Sequence, residues 1–455
     1  MTSKPTNQII VEAKPASFAP GGALTGRTTV PGDKSISHRS LILSALAVGK
    51  SQIAGLLEGE DVLATAAALR AMGATIEKKG DIWTVHGVGV GGLMQPDTAI
   101  DLGNSGTSVR LLMGLVASHD ISVTFTGDAS LSRRPMGRVI DPLSDMGAEF
   151  TARMSSDGKA CLPLAVRGLC PAVPIEYRLP VASAQVKSAI LLAGLNTPGV
   201  TRVIEPVPTR DHSETMLKGF GADLTVETDK EDSRIISLTG EAELSPQKIK
   251  VPGDPSSAAF PVVAALLVPG SDIVVENVGI NPTRAGLFTI LQQMGGDISF
   301  KKKRTVGGEP VADIHVKHSK LTGIDVPAEV APSMIDEFPV LFIAAALAEG
   351  TTTTSGLHEL RIKESDRLSQ MAEGLRVLGV ELTEKEDGLI ITGSGGEPLS
   401  GGSNMSAIET ALDHRIAMSF AVAGLVTASG LTIDDITPAE TSFPGFADLM
   451  KALAS

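Results

Sequence analysis

A pattern of helix end, glycine and strand start recurs along the chain at nearly fixed intervals, and no other feature restricts the possible folds as much. The copies read ALRAMGATI, PLSDMGAEF, MLKGFGADL, ILQQMGGDI and GLRVLGVEL. They place Gly73, Gly147, Gly221, Gly295 and Gly379 at equivalent positions, 74, 74, 74 and 84 residues apart. In each, an amphipathic helix runs into a glycine that can adopt the left-handed conformation closing a helix, and a strand follows. FADLMKALAS, near the end of the sequence, reads as a sixth, shortened copy. A repeat of this length means one supersecondary unit used several times.

A second duplication groups the units. Val30-Pro31-Gly32-Asp33 and Val251-Pro252-Gly253-Asp254 lie 221 residues apart, close to three of the shorter periods. Two halves of three units each follow, with the Val-Pro-Gly-Asp segments as the crossovers between them. The 455 residues are also too many for a single core. Within a unit, β-rich stretches such as 121–125 and 273–278 alternate with wholly apolar helical stretches such as 40–47, 257–268 and 337–348. Helices without a polar face belong inside, so each unit reads as α/β with its helices packed within. Aromatic residues make up only 3% of the chain, so that interior must be built from Ala, Val, Leu, Ile and Met.

A net charge of −13 argues against a nucleic-acid partner, although a local cationic cleft could still take small anions. Cys161 and Cys170 have neither metal-ligand spacing nor the number for a disulfide framework. The first 20 or so residues are polar and Pro-containing and read as a weakly ordered tail, without the apolar segment of a signal peptide. Apolar runs such as 338–348 are too short to cross a bilayer. A cytoplasmic protein without membrane or nucleic-acid partners is expected.

Cations stand where apolar helices should begin. Lys34, Ser35 and Arg39 follow Gly32-Asp33, and Asp413-His414-Arg415 precedes IAMSFAVAGLV. A cation there opposes the helix dipole, so the arrangement is either a solvated turn or an anion site that combines side chains with free backbone N–H groups. Asp33 occupies the position of the glycine that a phosphate-binding Walker loop requires before its lysine, which excludes that motif. Asp101-Leu102-Gly103-Asn104-Ser105-Gly106-Thr107-Ser108-Val109-Arg110 repeats the logic, with Gly106 permitting close approach to the backbone. Ser132-Arg133-Arg134-Pro135 offers one functional arginine, since its neighbour should face solvent. Arg210-Asp211-His212-Ser213-Glu214 and Ser183-Ala184-Gln185-Val186-Lys187 add further polar groups, each equally readable as surface or cap. Arg361 to Arg367 is the densest charge cluster. As a strand end it would separate Arg361 and Lys363 from Glu364, and as a helix it would put Lys363 and Arg367 on one face. The Gly-rich stretch after His86 leads to Pro96 instead of a helix, so it is not a dinucleotide site, and His315 and His318 lack a third metal ligand.

Taken in order from about Gly26 to Met450, these motifs resemble the EPSP synthase (3-phosphoshikimate 1-carboxyvinyltransferase) family. GDKS at 32–35, SAQVK at 183–187, RDHSE at 210–214 and NPTR at 281–284 resemble its class II branch, some members of which resist glyphosate. The resemblance implies a two-domain α/β fold, an inside-out barrel of six βαβαββ units in two pseudo-threefold domains. The boundaries then fall at the Val-Pro-Gly-Asp copies: residues 32–251 form one domain, and 1–31 plus 252–455 the other. It also implies transfer of the enolpyruvyl group of phosphoenolpyruvate to the 5-hydroxyl of shikimate 3-phosphate by a monomer, with no cofactor and no metal. Shikimate 3-phosphate would be held by Lys34, Ser35, Arg39, Ser183, Ala184, Gln185, Arg210, Asp336 and Lys363. Phosphoenolpyruvate, or glyphosate in its place, would meet Lys34, Gly106, Arg134, Gln185, Arg367 and Arg415. Asp336 would accept the proton of the attacking hydroxyl, Lys363 would contact that hydroxyl, and Glu364 would protonate the methylene carbon, with Lys34 beside them.

Thr441 stands where many relatives have a lysine, so no role carries over to it. The nearest rival, the UDP-N-acetylglucosamine enolpyruvyl transferases, mostly carry a cysteine in the loop before an Arg-Pro pair, and residues 127–134 contain none. A non-catalytic, clamp-like assembly of βαβ units that binds nucleic acid is disfavoured by the acidic charge and by cations gathered at helix starts.

Overall fold

The computed structural model describes residues 13–402 and 406–454. Among them, the repeat appears as a regular alternation of one buried and one amphipathic helix per unit. The buried helices are Lys34–Leu46, Gly106–Ala117, Ala184–Gly194, Pro255–Leu267, Phe338–Leu347 and His414–Gly424. Their partners are Glu60–Ala71, Gly137–Asp145, His212–Gly219, Gly286–Gln293, Arg367–Val377 and Phe446–Leu453. Gly73, Gly147, Gly221, Gly295 and Gly379 all have positive φ, between 78° and 101°. At each, the same double closure satisfies the last helical carbonyls, as where Gly73 N–H bonds Arg70 O and Ala74 N–H bonds Leu69 O.

The buried helices start earlier than their apolar residues suggest, at Lys34 instead of position 40 in the first unit. The reason is capping. Asp33, Ser105, Ser183, Asp254 and Asp413 each accept a hydrogen bond from a backbone N–H in the first turn, so the helix extends into polar sequence. Phe338–Leu347 is the exception, being led in by the tight turn Ile335–Glu337. The longer helical run Ala328–Leu347 is apolar and long enough to cross a membrane by composition, but the qualifying window is 72% buried in the core. Pro332 and the Asp336-Glu337 pair interrupt it.

Four of the six sheets among the described residues share one four-stranded order. Strands Ile100–Asp101, Ser122–Thr126, Ala160–Arg167 and Glu149–Met154 lie side by side in that order, one parallel pair followed by antiparallel pairs. Glu176–Arg178, Val200–Glu205, Arg234–Thr239 and Leu224–Thr228 do the same. In the first unit the parallel edge strand is Lys248–Lys250, brought back to pair with Val48–Ala54. In the fourth it is Thr25–Thr29, which pairs with Asp272–Gly279. The sixth unit is short: Ala16–Phe18 pairs with Leu431–Ile433 in a two-stranded sheet. This pairing corrects the expectation of a loose tail for residues 13–20, and Lys14 N–H also bonds Asp435. Residues 1–12 lie outside the described part.

Buried side chains fall into two separate clusters, one spanning Ile36 to Val251, the other joining Leu24 to residues from Ala258 to Leu453. The two Val-Pro-Gly-Asp segments run antiparallel beside each other where the chain passes between the clusters. Asp33 N–H bonds Pro252 O at 2.8 Å and Asp254 N–H bonds Pro31 O at 2.9 Å. The buried Arg284 guanidinium spans the carboxylates of Asp33 and Asp254, at 3.6 and 2.9 Å.

Candidate active site

All six buried helices aim their N-terminal ends at one cavity of about 780 Å³ between the two halves. Its lining includes Lys34 and Ser35, Gly106 and Thr107, Ser183 and Ala184, Asp254 and Ser256, Ile335 and Asp336, and His414 and Arg415. Each pair belongs to the first turn of a buried helix or the residues just before it. Helix N-termini carry partial positive charge and unpaired N–H groups. Their convergence, together with the arginines among them, explains how a chain of net charge −13 can hold anions.

Every residue singled out from the sequence as a site residue lines this cavity: Lys34, Ser35, Arg39, Gly106, Arg134, Ser183, Ala184, Gln185, Arg210, Asp336, Lys363, Glu364, Arg367 and Arg415. Within the doubled arginine, Arg134 is buried while Arg133 faces solvent. The charge cluster is neither strand nor helix throughout. His358–Ile362 forms a tight turn, residues 363–366 are irregular, and a new helix starts at Arg367. Asp366 starts that helix, its side chain capping Ser369 N–H. Lys363 and Arg367 still converge, through a shared carboxylate instead of a shared helix face.

That carboxylate is Asp336. Arg210 donates to it at 2.8 Å, Arg367 at 3.1 Å, and Lys363 stands 3.4 Å away. Enclosure pushes its carboxyl up, but Lys363, Arg210, Arg367 and Arg415 together outweigh that and hold it well below the usual carboxylate range. Glu364 is in the same situation, its enclosure overcome mainly by Arg367 and Arg134, the latter at 3.2 Å. Arg367 is itself buried and receives a third carboxylate, Asp413, at 2.8 Å. Two of these contacts, Arg210 with Asp336 and Arg134 with Glu364, join one half to the other.

Two lining residues, Asp61 and Arg110, have no role assigned from the sequence. Asp61 holds the Lys34 ammonium at 2.9 Å. Arg110, the last residue of the 101–110 motif, donates to Gln185 Oε1 at 2.9 Å and to Gly106 O at 3.1 Å. Burial, with Arg134 nearby, lowers Arg110 to about 10, and burial lowers Arg39 to about 10 as well. Spacing gave a signal for Arg110, since it sits one helical turn after Gly106; nothing local marks Asp61. Lys187 of the 183–187 motif points away from the cavity, fully buried between Glu205 at 2.9 Å and Glu214 at 2.7 Å. Thr441 does not line the cavity; its hydroxyl bonds Pro438 O and its carbonyl packs against Gly59.

Two halves of three α/β units around a cationic interdomain cavity form the fold of the enolpyruvyl transferases. The solved enolpyruvyl transferase NikO from Streptomyces tendae shares it with a TM-score of 0.75 over 97% of this chain and 98% of that one, at 20% identity. The sequence narrows the class: the chain belongs to the EPSP synthase (3-phosphoshikimate 1-carboxyvinyltransferase) family, whose model matches residues 18–450. A 3-phosphoshikimate 1-carboxyvinyltransferase of Novosphingobium aromaticivorans is 67% identical over 440 residues, 96% of this chain and 99% of that protein. One from Zymomonas mobilis is 68% identical over 434 residues, 95% and 94% of the two chains. A solved EPSP synthase from Acinetobacter baumannii superposes with a TM-score of 0.84 at 49% identity, over 96% of this chain and 97% of that one.

Proposed function

We propose that this cavity transfers the enolpyruvyl group of phosphoenolpyruvate to the 5-hydroxyl of shikimate 3-phosphate, with the residues that line it in the roles expected from the family resemblance. The observation that carries the assignment is the meeting, around one cavity, of fourteen residues scattered from Lys34 to Arg415 along the chain. The boundaries at the two Val-Pro-Gly-Asp segments, giving 32–251 and 1–31 plus 252–455, are part of the same reading. They are supported by the separate cores and by the pairing of strands 16–18 and 25–29 with the later half.

The chemistry is addition followed by elimination. The 5-oxygen attacks C2 of phosphoenolpyruvate while Asp336, oriented by Lys363, takes the hydroxyl proton. The methylene carbon becomes a methyl group with a proton from Glu364, which takes that proton from water once the donor's anionic groups have drawn Arg134 and Arg367 away from it. The C2–O bond to phosphate then breaks, phosphate leaves, and Glu364 takes back a methyl proton as the double bond of the product is restored. Lys34, Gly106, Arg134, Gln185, Arg367 and Arg415 hold the phosphate and carboxylate of the donor. Lys34, Ser35, Arg39, Ser183, Ala184, Gln185 and Arg210 hold the sugar phosphate, beside Asp336 and Lys363. Charge-assisted hydrogen bonds of this kind contribute about 1.5–3 kcal/mol each.

The ion pairs around Asp336 fit these roles. A carboxylate held by three cations is a poor base, and anionic substrates that recruit Arg210 and Arg367 would release Asp336 to act as one. The cavity is lined by both halves of a single chain, which supports a monomer. Both substrates are multiply charged and cross membranes poorly, which supports a cytoplasmic site, without nucleic acid as partner. Glyphosate would occupy the phosphoenolpyruvate subsite.

Phosphate release with both substrates, compared with either alone, tests the assignment. Release that requires both is expected; release from phosphoenolpyruvate alone, or none with the pair, would overturn it.

A further inference from the structure

Two sequence motifs have no part in the chemistry above: the residues after Arg210 in Arg210-Asp211-His212-Ser213-Glu214, and Asn281-Pro282-Thr283-Arg284. The structure brings them together across the two halves. Asn281 Nδ2 donates to Asp211 Oδ1 at 2.8 Å and to Glu309 Oε2 at 3.0 Å. The other Glu309 oxygen lies 2.8 Å from His212 Nδ1. Thr283 Oγ1 bonds Asn281 Oδ1 at 2.9 Å and reaches Asp211 Oδ1 at 3.4 Å. His212, Asn281 and Glu309 are each at least 94% buried. Glu309 opens the second strand of the hairpin Asp297–Val306 and Glu309–Lys317, so the hairpin tip from one half rests against the start of helix His212–Gly219 in the other.

One detail indicates what this contact is for. Asp211 stands at the N-cap of helix His212–Gly219, the position where an aspartate ordinarily accepts a hydrogen bond from its own first turn. Among the described residues it makes no such bond. Its carboxylate faces the other half, forgoing a local interaction that Asp33, Ser105, Ser183, Asp254, Asp366 and Asp413 make at their own helices. Just before it, Arg210 lies in irregular backbone whose upstream side is fixed within its own half. There Thr209 Oγ1 bonds Glu205, and Glu205 is held by Lys187 at 2.9 Å. Downstream, the two residues that fix the backbone are gripped by the opposite half.

We propose that Asn281 and Glu309 are positioning residues for Arg210, so that the guanidinium reaches the sugar-phosphate subsite only when the two halves are correctly seated on each other. The inference rests on the assignment of Arg210 to shikimate 3-phosphate made above. It deepens that reading by coupling substrate recognition to the relative placement of the halves. Asn281 supplies the single amide that holds two carboxylates together, one from each half. Without it Asp211 and Glu309 face each other as like charges, and the segment bearing Arg210 is freed on its downstream side.

The test is steady-state kinetics of the full-length Asn281→Ala protein, with both substrates varied. The Michaelis constant for shikimate 3-phosphate should rise tenfold or more, while kcat and the Michaelis constant for phosphoenolpyruvate stay within about threefold. Asp211→Ala breaks the same contact from the other side at a half-exposed position, and should give the same split should Asn281→Ala fail to fold. Glu309→Gln, which retains the hydrogen-bonding shape, should remain within about threefold of the unmodified protein. In an Arg210→Ala background, adding Asn281→Ala or Asp211→Ala should change the shikimate 3-phosphate constant by less than twofold, because the group being positioned is already gone. Equal rises for both substrates, a fall in kcat alone, or full additivity with Arg210→Ala would overturn the proposal. An unmodified protein that fails to turn over the two substrates would remove the functional reading and this inference together. Normal turnover with no split in either variant would remove the inference alone.

Discussion

Removing the ammonium of Lys187 should unfold the first half of the molecule before it affects the second. The side chain is fully buried, with Nζ 2.9 Å from Glu205 and 2.7 Å from Glu214. One oxygen of each carboxylate already lacks a hydrogen-bond partner among the described residues. Lys187→Met keeps most of the volume but leaves two enclosed carboxylates facing each other. Apart from the lysine, Glu205 keeps the Thr209 hydroxyl, and Glu214 keeps Arg234 at 3.8 Å. Breaking a buried ion pair from one side costs about 3–5 kcal/mol, most of it the uncompensated charge left behind. For a cooperative unit of some 200 residues this corresponds to about 6–20 °C in Tm. Differential scanning calorimetry of the full chain should show one transition moving down by that amount. If charge is the cause, the triple variant Lys187→Met, Glu205→Gln, Glu214→Gln should recover more than half of the loss. A shift under about 2 °C for Lys187→Met, or a triple variant no more stable than the single, would refute the reasoning and leave Lys187 as packing alone.

Asp336→Asn and Glu364→Gln should each lower kcat by roughly two to four orders of magnitude with much smaller changes in the Michaelis constants, as expected for groups that move protons; near-normal kcat in both would contradict their roles. At Gly106, an added Cβ would sit 2.8 Å from Arg110 Nη1 and 2.9 Å from Arg134 Nη1, so the methyl group displaces the guanidiniums as well as crowding a ligand. Gly106→Ala should therefore raise the ratio of the glyphosate inhibition constant to the phosphoenolpyruvate Michaelis constant about ten- to a hundredfold. It should also raise the phosphoenolpyruvate constant itself a few-fold. Inhibition kinetics on both forms decide this, and an unchanged ratio would rule the clash out.

The repeat was legible because its signal is local. A glycine that must take positive φ after an amphipathic helix leaves the same mark each time it is used, as at Gly73 and Gly147. The cations of the cavity were legible for a related reason, since Lys34, Arg367 and Arg415 each belong to the first turn of a helix. Asp61 and the Asp211–Asn281 contact were not legible. Their partners lie 27 and 70 residues away in sequence, and an isolated aspartate or asparagine carries no sign of a distant contact. Lys187 is indistinguishable in sequence from the polar residues around it. An alternation of polar groups at a helix start does not reveal which one turns inward to a pair of glutamates. The strand at Ala16–Phe18 was hidden by its polar, Pro-flanked setting, and its partner is contributed by the last unit.

The strand pairings at the start of the chain also set a timetable for its synthesis. Thr25–Thr29 has no partner until Asp272–Gly279 has been made, and Ala16–Phe18 waits for Leu431–Ile433. At about 5–20 residues per second these intervals are on the order of 10–50 s and 20–80 s. During the first of them the half between the two crossovers can be completed and fold on its own contacts. Two early strands then trail from a finished body with their backbone hydrogen-bonding edges open to any other chain that approaches. Their shortness, and the Arg27 and Lys14 side chains along them, limit what such an encounter could recruit. The half assembled last is thus also the one whose first pieces have been exposed longest, and a pause in translation between residues 250 and 431 would leave the molecule half built at its most adhesive stage.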